Sequence, residues 1–130
     1  MSKQIPLESE EQEKLVNYLK ILENQGKIIT FYANVNENRM HKQIKKYAII
    51  AEKVNKKLGK KKGVSDITII LKDKVLYIEL KRAKKSLSKV SKEQINFLDK
   101  IKQSNVCDGS VCYGFEEAKE FIDKFLELTI

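Results

Sequence analysis

Asp66, Glu79 and Lys81 are the residues of this sequence whose types and spacing could do chemistry. Glu79 and Lys81 stand two apart in the apolar run Val75-Leu76-Tyr77-Ile78-Glu79-Leu80-Lys81. Side chains alternate across a strand, so the two share one face, roughly 7 Å apart along it. Val75 and Tyr77 fall on that face; Leu76, Ile78 and Leu80 fall on the other. Upstream, Ser65-Asp66-Ile67-Thr68-Ile69-Ile70-Leu71 reads as a second strand. Lys72-Asp73-Lys74 between the runs is too short for anything but an antiparallel hairpin. A turn centred on Asp73-Lys74 sets Asp66 opposite Lys81 and diagonal to Glu79; one centred on Lys72-Asp73 sets it directly opposite Glu79. Either register keeps Asp66 on the face of Glu79, whereas a slip of one residue turns it away.

Two carboxylates and an amine converging on one side of a sheet suit hydrolysis of a phosphodiester. Hard carboxylate oxygens hold Mg²⁺ or Mn²⁺, which keeps several waters. A metal so held polarises the phosphoryl oxygen and acidifies a bound water. A lysine beside it orients that water or offsets the charge developing on the phosphorane. The competing reading is a cross-strand salt bridge of Asp66 or Glu79 with Lys81, worth little on a surface. Both strands are strongly apolar, which argues for central, largely buried positions. Charges at the ends of buried strands are more often functional than charges on an exposed sheet.

The elements that must position this trio follow from periodicity. Residues 7–24 carry an apolar stripe at Leu15, Leu19 and Leu22, a helix ended by Gln25-Gly26. Residues 28–35 are β-branched and aromatic and form a strand. Ile44, Tyr47, Ala48, Ala51, Val54 and Leu58 recur at three and four, marking a basic second helix that stops at Gly59. Ser91 caps a third helix running to about Gln103, with Ile95, Leu98 and Ile101 inward. Asp108-Gly109 reads as a turn, residues 110–113 as a short strand, and residues 116–128 as a last amphipathic helix with Ala118, Phe121, Ile122 and Phe125 inward. The order is α-β-α-β-β-α-β-α: one mixed four-stranded sheet with helices packed on it, in a single domain over residues 1–130. Most tyrosines and phenylalanines fall at inward positions, Tyr77 being the exception on the face of Glu79.

Basic residues number 26 and acidic ones 18, giving a net charge of +8, which favours a polyanionic partner. The charge is uneven. Residues 40–62 carry His41 and nine lysines against Glu52, a second basic cluster covers residues 81–89, and acids gather at 8–13 and 116–127. With 42% hydrophobic and 34% charged residues the chain reads as a folded protein. No apolar stretch approaches the ~20 residues of a membrane helix, and the N-terminus lacks an apolar signal region. The expectation is a cytoplasmic protein that meets no membrane. Cys107 and Cys112 read as reduced core residues.

Gly63-Val64-Ser65-Asp66 followed by Tyr77-Ile78-Glu79-Leu80-Lys81 resembles the PD-(D/E)XK nuclease signature. Ser65 stands where that signature has proline, and Glu79-Leu80-Lys81 is the E-x-K element. The surroundings are similar to the VRR-NUC group, the virus-type replication–repair nuclease domain. Glu8 to Gln12 resembles its opening helix, with an acid four before a glutamine. Asn36-Glu37-Asn38-Arg39 resembles its N-E-x-x-R loop, the arginine coming one residue early. Gly63 to Asp66 matches G-x-x-D, and Ser91 to Gln94 matches S-x-x-Q.

The resemblance implies a restriction-endonuclease-like core and a metal-dependent DNA endonuclease acting on branched DNA such as four-way junctions, as a homodimer of viral or mobile-element type. Asp66, Glu79 and the carbonyl of Leu80 would bind Mg²⁺ or Mn²⁺, and Lys81 would assist the attacking water. Gln94 would reach the site from the third helix. Glu8 would complete it, with Glu11 as a substitute. Arg39, Lys42, Lys60, Lys61, Lys62, Arg82, Lys84 and Lys85 would contact DNA. His41 reads as a surface residue near phosphates. Two rival readings are a nucleic-acid-binding protein without catalysis and a sequence-specific restriction-type endonuclease.

Overall fold

Leu15, Leu19 and Leu22 sit on one stripe of helix α1, Glu8–Asn24, and all three are buried. In the computed structural model, which describes residues 4–34, 50, 53–54 and 56–127, α1 turns at Gln25 and Gly26 into strand β1, Thr30–Ala33. The hairpin follows as β2, Ile67–Ile70, and β3, Val75–Lys81. A 3-10 turn at Lys85–Leu87 leads to helix α2, Lys92–Ile101, then strand β4, Cys107–Tyr113, and helix α3, Phe115–Glu127.

The sheet order is β1-β2-β3-β4. β1 and β2 are antiparallel, as are β2 and β3, while β4 runs parallel to β3. A parallel neighbour needs a crossover, and α2 supplies it. The expected mixed four-stranded sheet with flanking helices is therefore present, and the two strands of the trio are its centre. Of the two hairpin registers, Ile67↔Ile78 and Ile70↔Val75 select the one centred on Lys72-Asp73.

Alternation divides the sheet into two faces. Ile67, Ile69, Leu76, Ile78, Leu80 and Cys112 are buried on one, with Leu15, Leu19 and Leu22 of α1 and Ala118 and Ile122 of α3 in the same cluster. Helix α2 covers part of the other face: Phe97 meets Tyr77 edge to face at 5.3 Å between centroids, and Leu98 is buried. Both cysteines are free thiols, Cys112 in the core and Cys107 half-buried. Burial pushes the Cys112 thiol up to about 12.

Two expectations are corrected. Asp108-Gly109 is not a turn: Leu76↔Asp108 and Tyr77↔Gly109 are rungs of the parallel ladder. Glycine is needed there because α2 presses on the strand, and a Cβ at Gly109 would lie 2.7 Å from Leu98 Cδ2 and 2.9 Å from the Tyr77 carbonyl oxygen. Ile95, expected inward, is 47% exposed, because Phe97, Leu98 and Ile101 already meet the sheet. Val54 and Leu58, which mark the period of the expected basic helix, are 49% and 73% exposed. Most of that expected helix, with the loop carrying Arg39, His41 and Lys42, lies outside the described residues.

Candidate active site

Extending the hairpin register by one rung puts Asp66 across from Glu79, at the end of the sheet away from the turn. Both side chains, with that of Lys81, stand on the face opposite the main core. All are nearly inaccessible: Glu79 is 1% exposed, Lys81 8% and Asp66 9%. Lys81 Nζ lies 3.9 Å from Glu79 Oε2, at the outer limit of an ion-pair distance. Asp66 Oδ2 accepts the Leu80 backbone N–H at 2.7 Å. The N–H and C=O of a strand residue leave the backbone on the same side, so the Leu80 carbonyl also faces the edge that carries Asp66.

The segment before β2 is fixed from two directions. Gly63 adopts φ +83°, and a Cβ there would lie 2.3 Å from the Glu93 backbone. Glycine is thus required both for the turn and for the approach of the loop to the first turn of α2. From the other side comes Asn34, at the end of β1. Its N–H donates to the Asp66 carbonyl at 2.8 Å, and its Nδ2 donates to the Ser65 carbonyl at 2.9 Å and to Thr68 Oγ1 at 3.2 Å. Asn34 was not singled out from the sequence. The signal was available: Thr30, Tyr32 and Asn34 alternate onto the face of the trio.

Electrostatics distinguish this cluster from a salt bridge. Burial raises the Glu79 carboxyl to about 9, assisted by hydrogen bonding to Asp66, by the Asp66 charge and by Glu8. Lys81 pulls the other way and is outweighed. Glu79 therefore keeps a proton at neutral pH unless a cation replaces it. Its Oε1 is buried with no hydrogen-bond partner, as is Ser65 Oγ. An unpaired buried acceptor costs about 1–3 kcal/mol, and a cation beside Glu79 would remove that cost. The described residues gather no group of three or more His, Cys, Asp or Glu side chains fit to hold a metal. The hard oxygen donors present are the Asp66 and Glu79 carboxyls and the Leu80 backbone carbonyl, donors of the type that Mg²⁺ accepts.

The remaining expected residues fall in different places. Glu8 is half-buried and near enough for its charge to act on Glu79. Glu11, the substitute, is buried elsewhere, its carboxylate accepting the Phe115 N–H at the start of α3. The Gln94 side-chain oxygen accepts the Ser91 N–H at 2.8 Å while Ser91 Oγ accepts the Gln94 N–H at 3.1 Å, so this pair forms the capping box of α2. Lys60, Lys61, Lys62, Lys84 and Lys85 are exposed. Lys85 Nζ lies 5.1 Å above the Tyr113 ring. Arg82 is half-buried and donates to the carbonyls of Pro6 and Ile5 at 3.1 and 2.8 Å. No family model, curated protein or solved structure matches this chain.

Proposed function

We propose that this chain is a divalent-metal-dependent DNA endonuclease that hydrolyses phosphodiester bonds at the Asp66–Glu79–Lys81 cluster. The observation that supports it best is the buried acid pair with an unpartnered Glu79 oxygen beside a buried lysine. A purely structural ion pair would leave Glu79 ionised against Lys81; here the proton is favoured instead. Asp66 and Glu79 would hold the cation, with the Leu80 carbonyl on the same edge. Bound there, Mg²⁺ or Mn²⁺ makes the phosphorus more electrophilic and a coordinated water more acidic.

The protein's own groups supply the rest. The Leu80 N–H fixes one Asp66 oxygen, which leaves the other to face a ligand. Glu79, whose carboxyl favours a proton in the metal-free protein, would lose that proton to hold a cation. The Lys81 ammonium, 3.9 Å from Glu79, would orient the attacking water or balance charge on the phosphorane oxygens. The exposed lysines at 60–62 and 84–85 flank the cluster in sequence and attract phosphates without regard to base sequence. Preference for four-way junctions, and action as a homodimer, come with the VRR-NUC resemblance and belong to the proposal.

The test is cleavage of a labelled four-way junction and a matching duplex with Mg²⁺ or Mn²⁺, using wild type, Glu79→Ala and Lys81→Ala. Cleavage should require metal and vanish in both variants. Tight junction binding without cleavage under either metal would turn the reading towards a nucleic-acid-binding protein. Equal cutting of four-way, flap and linear substrates would remove the junction preference.

A further inference from the structure

Where α1 ends, β1 begins, the hairpin turns and α3 makes its last turn, the chain surrounds a depression of about 690 Å³. Small-molecule sites are typically hollows of ~300–1,000 Å³ with apolar walls and a few polar groups. The floor here is apolar: Leu22, Ile28 and Leu71 are buried core residues, and Ile29 beside them is 55% exposed. Gly26 keeps the corner open. At φ +72° it turns the chain from α1 towards β1, and a Cβ there would meet nothing within 4 Å.

The rim is basic. Lys27, Lys72 and Lys74 line it. Lys74 Nζ lies 5.4 Å from the centre of the Phe125 ring, and neither Lys27 nor Lys72 has an ion-pair partner among the described residues. Two acids, Asp73 and Asp123, also line the depression. The Asp123 carboxylate is already engaged: one oxygen accepts the Tyr18 hydroxyl, and the other pairs with Lys119 at 2.8 Å. Asp73 alone is left to oppose three lysines.

We propose that this depression binds a small apolar carboxylate, its hydrocarbon part on Leu22, Ile28 and Leu71 and its charge among Lys27, Lys72 and Lys74. Each part of such a ligand meets what it needs. The hydrocarbon leaves water for an apolar floor, while the carboxylate stays at a solvated rim and escapes the cost of burying a charge. A compact anion such as phosphate would gain nothing from the floor, and a neutral hydrocarbon would leave the lysines unused. Asp66 and Glu79 lie at the other end of β3, so this site and the proposed nuclease centre stand or fall separately.

The experiment titrates the whole chain by calorimetry with octanoate and with octanol, which share a chain length and differ in charge. Octanoate should saturate a single site and bind about tenfold tighter than octanol, the contribution of two or three solvated charge contacts. Replacing Lys72 and Lys74 together with alanine should bring octanoate down to the level of octanol and leave octanol unchanged. Ile29→Ser should weaken both ligands alike, by about threefold, because it removes apolar wall and no charge. Replacing Lys61 and Lys62 with alanine should change neither ligand. Equal affinities for octanoate and octanol would overturn the inference, as would equal losses from the two lysine pairs. Heat that never saturates, or several octanoates per chain, would mean adsorption to a basic surface and would overturn it too. The replaced lysines and Ile29 are not core residues, and circular dichroism of each variant verifies its fold.

Discussion

The Glu79 carboxyl would tie the pH behaviour of the proposed site to a bound cation, because its burial and the neighbouring Asp66 favour a proton that a metal would displace. Its ordinary value is 4.5 and its folded value about 9, so between these limits the folded chain holds more protons than the unfolded one. The stabilising contribution is complete below 4.5 and is lost as pH rises towards about 9. The loss amounts to about 1.4 kcal/mol per pH unit. In EDTA, wild type should lose roughly 3 kcal/mol relative to Glu79→Gln between pH 6 and 8, measured by urea denaturation. Parallel pH profiles for the two would mean that the carboxyl is ionised throughout. The same proton predicts a second outcome. Mn²⁺ binding at pH 7 should release close to one proton, and affinity should climb up to about tenfold per pH unit towards the upper limit. Calorimetry in buffers of different ionisation enthalpy counts the proton, and a buffer-independent heat would refute the exchange.

At the scale of elements, the site depends on how a short loop meets a helix end. Gly63 sits against the backbone of Glu93, and an added methyl would meet it at 2.3 Å in a left-handed conformation that disfavours side chains. Gly63→Ala should destabilise the chain by about 2–4 kcal/mol, and because Asp66 follows three residues later, Mn²⁺ affinity should fall as well. Thermal denaturation with and without Mn²⁺ reads both, and a variant as stable as wild type would show that the loop relaxes freely. Much at this scale was legible in advance. The α1 stripe, the hairpin and the Ser91 cap have local causes, namely periodicity, a connection too short for a crossover, and a side chain reaching its own helix. Alternation limited Asp66 to two registers sharing one face, and packing chose between them. What stayed hidden depends on partners far apart in sequence. Asn34 meets Ser65 31 positions on, Arg82 reaches Pro6 across 76, and Glu11 reaches Phe115 across 104. Gly109 misled for a related reason. Asp-Gly signals a turn locally, whereas here the glycine makes room for α2 against β4.

Across the whole molecule, charge and fold share one polarity. Helices α1 and α3, which carry the acids at 8–13 and 116–127, pack against the core face of the sheet. The lysines at 60–62 precede the loop that delivers Asp66, and those at 84–85 follow Lys81. At the far end, Lys27 and Lys72 line a depression beside the hairpin turn, about 20 Å from the acid pair by the length of β3. A net charge of +8 alone would draw DNA to any basic surface. Binding at the proposed site would draw on the lysines that flank it in sequence. Each phosphate neutralised adds about 0.9 to the slope of log affinity against log salt for duplex DNA. Replacing Lys61 and Lys62 with alanine should therefore lower that slope by up to about 1.8, and weaken binding most at low salt. Replacing Lys27 and Lys72 removes the same charge but should leave the slope near that of wild type. Fluorescence anisotropy over a salt series, in EDTA to exclude cleavage, compares the pairs directly. Equal reductions from both pairs would mean that net charge rather than placement governs DNA binding, and the Asp66–Glu79–Lys81 cluster would then have no privileged hold on its substrate.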